Sequence, residues 1–225
     1  MAMKTCTNSL GMEFITCPAG TFMMGGEDYE ENQPEHQVTL TRSFYLSKYL
    51  VTQAQWKAAM GTNPSHFKGA NRPVDTVSWE EAYEFIIKLN KKEGISRYRL
   101  PTEAEWVYAS KTRDEAEQCA AKARIEIEEK LGEYACFGDN SDSNTPPANH
   151  KKTDDTSVWE WMEDWYASYT ASDCTDPCGP AFGSDRVIRR YIWWGPRQGA
   201  FPSHRASCVF GLPVVMGFRL AFSLE

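Results

Sequence analysis

The stretch Arg99-Leu-Pro-Thr-Glu-Ala-Glu-Trp106 holds the clearest helix start in this chain of 225 residues. Thr102 and Glu105 form a capping-box pattern, in which the Thr side chain accepts from the N3 amide and the Glu side chain accepts from the N-cap amide. The pattern predicts a helix that begins after Pro101. The apolar positions expected on its buried face are Ala104, Trp106 and Val107 or Tyr108.

Two earlier stretches carry the same pattern, Thr52-Gln-Ala-Gln55 and Ser78-Trp-Glu-Glu81. The first predicts a short helix that ends at Met60-Gly61, because Gly readily adopts the left-handed conformation that closes a helix. The second predicts a helix that stops near Gly94. Its apolar residues recur at helical spacing and predict one buried stripe: Ala82, Phe85, Ile86 and Leu89.

Strand signals surround these helices, and they indicate an irregular α+β domain spanning residues 1–225. The predicted strands are Glu13–Cys17, Gly20–Met24, Val38–Leu50, Val158–Trp161 and Val214–Leu220. The charged residues from Lys111 to Tyr134 favour a solvated helical insertion, and the Gly, Asn, Asp, Ser and Pro that follow indicate a long loop. Residues 111–156 are therefore interpreted as an insertion and loop within the domain.

Composition and charge exclude several classes of protein. With 41% hydrophobic and 13% aromatic residues the chain is neither disordered nor a coiled coil, and no apolar run approaches the roughly 20 residues that cross a bilayer. The net charge is −7, but from Arg186 onward six Arg and one acidic residue give +5, so residues 1–185 carry −12. Because no Lys/Arg-rich run precedes Arg186, we expect no nucleic-acid partner.

The seven Cys residues are an odd number, so in an oxidising compartment at least one thiol is free or pairs between molecules. The close pair Cys174 and Cys178 is interpreted as a loop disulfide or two unrelated thiols rather than a redox or metal site. The four His residues show no zinc-ligand spacing, so no metal site is predicted.

Ten or so motifs in a shared order resemble the formylglycine-generating-enzyme, or sulfatase-modifying factor, family. They include Pro18-Ala-Gly-Thr-Phe22, Pro34-Glu-His36, Asn63-Pro-Ser65, Arg72-Pro-Val74, Val77-Ser-Trp79, Arg99–Trp106, Val158-Trp-Glu-Trp161 and Gly217-Phe-Arg-Leu220. The resemblance implies a C-type-lectin-like fold of the formylglycine-generating-enzyme subtype, with two main helices, short antiparallel sheets and many ordered loops. It also implies that Arg186, Arg189 and Arg219 pair with framework carboxylates.

The resemblance does not extend to the residues that carry the family's oxidase chemistry. Members that oxidise a substrate cysteine use two cysteines after an RGGSW-like stretch, because paired thiolates hold a copper ion that activates oxygen. In this chain the corresponding positions fall near Gly195 and Ala200, and Cys208 is the only thiol in the region. We therefore expect no catalytic residues and no cofactor, with a divergent sulfur-oxidising oxygenase as the alternative.

An intact framework beside a substituted C-terminal segment resembles the variable proteins of diversity-generating retroelements, most closely those of Treponema. In these proteins a reverse transcriptase copies a template and randomises codons at the 3′ end of a lectin-fold gene. The resemblance implies a variable segment within 186–220, with a ligand-binding surface over Arg190–Val215. The predicted ligand-binding residues are Arg190, Tyr191, Ile192, Trp194, Gly195, Pro196, Gly199, Phe201, Ser203, His204, Ser207, Val209, Phe210, Leu212, Pro213 and Val214.

The predicted partner is a protein or other macromolecule, because Tyr, Trp, Phe and Arg carry much of the binding energy at protein interfaces. The resemblance implies display at a bacterial cell surface through an N-terminal lipid anchor absent from this sequence. A sugar-binding lectin is a third hypothesis, but Arg186–Leu224 contains no Asp, Glu or Asn to coordinate calcium. Trp159, Trp161 and Trp165 are interpreted as core residues.

Overall fold

The computed structural model describes residues 5–26, 32–117, 158–190, 204–209 and 216–224. The helices in these ranges are α1 (Gln53–Met60), α2 (Trp79–Glu93) and α3 (Glu103–Glu117). The strands are β1 (Thr5–Thr7), β2 (Glu13–Cys17), β3 (Gly20–Met24), β4 (His36–Leu40), β5 (Phe44–Ser47), β6 (Trp159–Trp165), β7 (Cys174–Thr175), β8 (Asp185–Arg190), β9 (His204–Val209), β10 (Met216–Gly217) and β11 (Ala221–Ser223).

All three of these helices begin at their predicted capping boxes. In each, the N-cap side chain accepts from the N3 amide at 3.2–3.3 Å and the N3 side chain accepts from the N-cap amide at 2.8–2.9 Å. Gly61 and Gly94 close α1 and α2 with φ of 80° and 68°. The reciprocal pairs are Thr52–Gln55, Ser78–Glu81 and Thr102–Glu105.

The predicted single strand Val38–Leu50 is wrong, because this stretch contains β4 and β5, which belong to different sheets. One sheet has the order β1-β2-β5-β11 and another has the order β3-β4-β7. Between the two strands, the amide and hydroxyl of Thr41 donate to the Asp176 carboxylate at 2.8 and 2.5 Å. These bonds join the segment between β4 and β5 to Asp176, which follows β7 in the sequence.

The third sheet, β10-β6-β8-β9, contains the start of the predicted variable segment 186–220 in β8 and further parts of it in β9 and β10. The β6–β8 and β8–β9 ladders are antiparallel, whereas β10 pairs with β6 in parallel. A second parallel pair joins β4 to β7. Both parallel pairs connect parts of the chain that are far apart in sequence, as parallel strands require.

The core lies where these sheets meet the helices. The predicted stripe of α2 is buried, with Ala82, Phe85 and Leu89 at 0% and Ile86 at 2% exposure. Trp56 of α1 stacks on Phe85, with ring centroids 5.6 Å apart. Ala104, Trp106, Val107 and Tyr108 are all buried, so the predicted inner face of α3 is confirmed.

Helix α3 continues through Glu117, so the first residues of the charged stretch beginning at Lys111 are helical, as predicted. The remainder of that stretch and the predicted loop fall in 118–157, outside the described residues. Among the residues that the structure describes, no helix has both the length and the apolar character needed to cross a membrane.

Gly217, the first residue of the Gly-Phe-Arg-Leu motif, is packed too closely to accept a side chain. A Cβ placed there would lie 2.9 Å from the Val74 carbonyl oxygen and 3.0 Å from side-chain carbons of Leu50 and Val158. We expect Gly217→Ala to lower the free energy of unfolding by about 1–3 kcal/mol, because a backbone atom cannot move aside. Gly26→Ala is the control, since nothing lies within 4 Å of a Cβ placed at that residue. Thermal denaturation that finds the two variants equally stable would contradict this packing argument.

Candidate functional site

The two strands β8 and β9 bring two positions of the predicted binding segment Arg190–Val215 together. Arg190, the last residue of β8, pairs with His204, the first residue of β9. At the other end of the ladder Val209 pairs with Asp185. Arg190 and His204 are therefore neighbours across the ladder although residues 191–203 separate them in the sequence.

The structure places four of the sixteen predicted binding residues. Arg190, His204 and Val209 lie at the strand ends, and Ser207 of β9 has an exposed side chain. The other twelve lie outside the described residues: Tyr191, Ile192, Trp194, Gly195, Pro196, Gly199, Phe201, Ser203, Phe210, Leu212, Pro213 and Val214.

Residues next to these predicted positions are buried. On β8, Arg189 is 2% exposed, and on β9, Arg205 and Cys208 are 5% and 6% exposed. Arg189 and Arg205 are register partners, so they form the rung immediately inside the Arg190–His204 pair. Anchored positions therefore lie directly beside predicted binding positions along the same strands.

Both buried arginines bind one carboxylate, that of Glu103 at the start of α3. The Glu103 Oε1 atom accepts from Arg189 Nε at 2.8 Å and from Arg205 Nε at 2.7 Å. Glu103 Oε2 accepts from a terminal nitrogen of Arg205 at 3.2 Å. A single side chain of α3 thus holds both strands that flank residues 191–203.

Tyr169 completes this buried network. Its hydroxyl donates to Glu103 Oε1 at 2.9 Å and accepts from a terminal nitrogen of Arg189 at 2.6 Å. Arg205 also donates to the Ala167 carbonyl oxygen at 2.7 Å, and its guanidinium lies 4.2 Å from the ring centres of Tyr166 and Tyr169. The charges are therefore paired and hydrogen-bonded, which buried charges require.

Electrostatics favour the ionised form of Glu103. Burial alone would raise the pKa of Glu103, but the guanidiniums of Arg189 and Arg205 outweigh this effect and hold the pKa below its ordinary value. Burial and the Glu103 carboxylate raise the pKa of Tyr169, which keeps its hydroxyl protonated as a donor.

Asp164 of β6 lies against the same helix start. Its Oδ2 atom accepts from the Glu103 amide at 2.7 Å. Burial raises the pKa of Asp164 to about 8, and the nearby Glu103 carboxylate adds to the rise. The site therefore combines an ionised Glu103 with a carboxyl group that binds its proton tightly near neutral pH.

The predicted role of Arg189 is confirmed, and so is that of Arg219, whose Nε donates to Glu160 Oε2 at 2.7 Å. The carboxylate pairing expected for Arg186 is wrong. Its guanidinium carbon lies 3.8 Å from the ring centre of Trp79 and 3.5 Å from that of Trp165, and it donates to a backbone carbonyl oxygen. The flat guanidinium stacks between two indoles, which supplies cation–π attraction in place of an ion pair.

Sequence reasoning missed Glu103, Tyr169 and Arg205. Glu103 lies in a recognised motif, but Glu105 is the residue that completes the capping box. An acidic residue in the first helical turn is also expected from its favourable interaction with the helix dipole, so Glu103 gave no separate signal. Its partners lie 66 to 102 residues away. No spacing pattern connects residues so far apart.

The predicted tryptophan positions are confirmed in part. Trp161 is 5% exposed, and its indole donates to the Val77 carbonyl oxygen at 2.8 Å. Trp159 and Trp165 are half-buried. Trp165 lies at the edge of the core, where its ring contacts the Arg186 guanidinium.

In the described ranges, no group of three or more His, Cys, Asp or Glu residues is arranged to hold a metal ion. Cys174 and Cys178 carry separate thiols. Of the two interpretations of the close pair, the structure agrees with two unrelated thiols.

The sequence matches the sulfatase-modifying factor enzyme 1-like domain over residues 2–224. The chain belongs to this family, and the predicted C-type-lectin-like α+β fold is confirmed. Chaperone protein LppX of Paenibacillus barcinonensis is 28% identical over 207 residues, covering 69% of this chain and 72% of that protein. The formylglycine-generating enzyme of Streptomyces coelicolor is 28% identical over 156 residues, covering 62% of this chain and 48% of the enzyme.

Solved structures agree with this assignment. Treponema denticola variable protein 1 superposes with a TM-score of 0.80 and 29% identity, covering 99% of both chains. PvdO from Pseudomonas aeruginosa superposes with a TM-score of 0.71 at 22% identity, covering 98% of both chains, and shows the shared fold. The predicted resemblance to a treponemal variable protein is therefore confirmed.

Replacing Asp164 with Asn tests the environment of this buried carboxyl. Because the folded-state pKa of about 8 exceeds the unfolded value, the folded state binds the proton more tightly. Its stabilising contribution is complete below about pH 4, falls as pH rises, and is lost through about pH 8. We expect Asp164→Asn to flatten this fall and to be more stable than the parent at about pH 8–9, because the amide oxygen still accepts from Glu103.

Thermal unfolding measured from about pH 5 to about pH 9 checks this expectation. Asp173→Asn, at an exposed position, controls for the loss of one carboxylate. If Asp164→Asn proves less stable than the parent at the alkaline end of this range, the ionised carboxylate is the form that the fold requires.

Proposed function

We propose that this chain is a non-catalytic ligand-binding protein whose C-terminal segment is a diversified, surface-exposed binding site generated by template-directed mutagenesis. The observation that carries the proposal is the register of β8 and β9. The predicted binding positions Arg190 and His204 are paired at the strand ends, directly beside the buried rung Arg189–Arg205. In such a site the buried rung keeps the two strands in place while the side chains at the binding positions vary.

The physical cost of change differs sharply between these two classes of position. Substitutions at exposed residues such as Ser207 usually alter stability by within about 0.5 kcal/mol. Removing one partner of a buried ion pair costs about 3–5 kcal/mol, because the remaining charge has no counter-charge. Variation is therefore tolerated at the exposed positions and opposed at Arg189 and Arg205.

The thiols support a binding role over the family's oxidase chemistry. The positions where the family's two cysteines are expected fall near Gly195 and Ala200, and neither residue is a cysteine. Cys208 is buried, and burial raises the pKa of its thiol, with the negative charge of Asp185 adding to the rise. A thiol held in its protonated form is a poor copper ligand, because the thiolate is the coordinating species.

We further propose that the ligand is a protein or other macromolecule and that the chain acts at a bacterial cell surface through a lipid anchor. The support is the full-length similarity to Treponema denticola variable protein 1. The formylglycine-generating enzyme of Streptomyces coelicolor is about twice as long as the part matched here, so its activity is not carried over to this chain.

Deep sequencing of the 3′ end of the gene across many cells tests the proposal. We expect amino-acid substitutions to cluster at the sixteen predicted positions and to spare Glu103, Arg189 and Arg205. The substituted codons should align with adenines in a nearby, nearly identical copy of the gene's 3′ end that lies beside a reverse-transcriptase gene.

An invariant segment with no template nearby would overturn the diversified site. Copper(I) titration and oxygen-dependent oxidation of a cysteine peptide would then test the oxygenase alternative. Codons for exposed residues of α2, such as Glu84 and Lys88, serve as an internal control for the background substitution rate.

A further inference from the structure

We propose that Glu103 is a positioning residue for ligand binding, because its carboxylate sets the placement of both strands that flank residues 191–203. The inference rests on the proposed function and identifies the contact that holds the binding site in place. A positioning role predicts that changing Glu103 alters ligand affinity as well as stability, whereas a purely structural role predicts a change in stability alone.

The position of β9 depends on contacts beyond its backbone ladder. Within the described part of the chain, β9 pairs only with β8, at the edge of the sheet β10-β6-β8-β9. One ladder fixes the spacing between two strands, but sheets twist, so it leaves their tilt against the rest of the protein less constrained. Side-chain contacts must supply that constraint for β9.

These side-chain contacts converge on Glu103. Arg205 of β9 and Arg189 of β8 donate to the same oxygen, Oε1, at 2.7 and 2.8 Å. All three side chains are at most 5% exposed. A shift of either strand therefore lengthens a charge-assisted hydrogen bond in a buried setting, where such bonds are strong.

Glu103 itself is held in place by neighbouring contacts. It is the first residue of α3, whose start is fixed by the Thr102–Glu105 capping box. Arg99 binds both oxygens of Glu105 at 2.6 Å, and the Glu103 amide donates to Asp164. The Glu103 carboxylate thus fixes both strands relative to helix α3 in the core.

A matched ion pair in the same sheet supplies the control. Glu160 and Arg219 are joined at 2.7 Å and are 4% and 3% exposed, so Glu160→Gln removes a carboxylate that one buried arginine binds, whereas Glu103→Gln removes a carboxylate that two buried arginines share. Glu160 belongs to β6 and is the register partner of Arg189, whereas Arg219 follows β10, so this ion pair bridges elements other than β9. Tyr169→Phe is a milder variant of the Glu103 network, because it removes one hydroxyl and leaves every charge paired.

The experiment begins with full-length chains displayed on yeast and diversified at Arg190, His204 and the predicted positions between them. Binders are selected against hen egg-white lysozyme as the probe, and Glu103→Gln, Tyr169→Phe and Glu160→Gln are then placed in the same clones. Dissociation constants are measured on folded protein, well below each midpoint of thermal unfolding.

We expect Glu103→Gln to weaken binding roughly tenfold or more and Tyr169→Phe by about threefold, because binding groups must be held within about half an ångström. Glu160→Gln should change affinity by less than about twofold, since its ion pair does not hold β9. Hydrogen exchange at 205–208 of β9, relative to exchange in α2, should rise in Glu103→Gln and not in Glu160→Gln.

Equal weakening by Glu103→Gln and Glu160→Gln, or unchanged affinity and exchange in Glu103→Gln, would overturn the positioning role. If Glu103→Gln does not fold, Tyr169→Phe against Glu160→Gln decides by the same criteria. A library that yields no binders counts against the proposed function, while hydrogen exchange still decides whether Glu103 positions the strands.

Discussion

The structure around the candidate site depends on one buried carboxylate shared by two arginines. Glu103 begins a helix in the core, and Arg189 and Arg205 lie on neighbouring strands, so their contact joins three elements at one point. Desolvation of these charges is costly, and it is offset because both guanidiniums share the Glu103 carboxylate and make additional hydrogen bonds. The same requirement makes the geometry specific, since displacing one strand would leave a buried charge without its partner.

The arginines of the C-terminal part whose side chains the structure describes share this inward role. Four of the six contact internal groups: Arg186 lies between two indoles, Arg219 binds Glu160, and Arg189 and Arg205 bind Glu103. The local excess of positive charge therefore contributes to the framework. This distinction separates anchored positions from exposed ones within a few residues, which is the arrangement that a site with changing side chains requires.

The site could be predicted only in part. Resemblance correctly assigned carboxylate partners to Arg189 and Arg219, because matching motifs preserve the kind of contact. It failed for Arg186, since a guanidinium can stack on aromatic faces as well as pair with carboxylates, and the sequence does not indicate which is nearby. Arg205 was overlooked because it stands among residues of mixed character, and its burial depends on a helix 102 residues away.

The sequence by itself determined where the three helices begin, where α1 and α2 end, and which face of α2 is buried. These features depend on residues three or four positions apart, so capping boxes, glycines and apolar spacing are sufficient. Only the tertiary structure decided that 38–50 divides between two sheets, that β10 lies parallel to β6, and that Glu103 joins β8 to β9. Those outcomes depend on which distant groups compete for each hydrogen bond and charge, and that competition is settled only when the whole chain is packed.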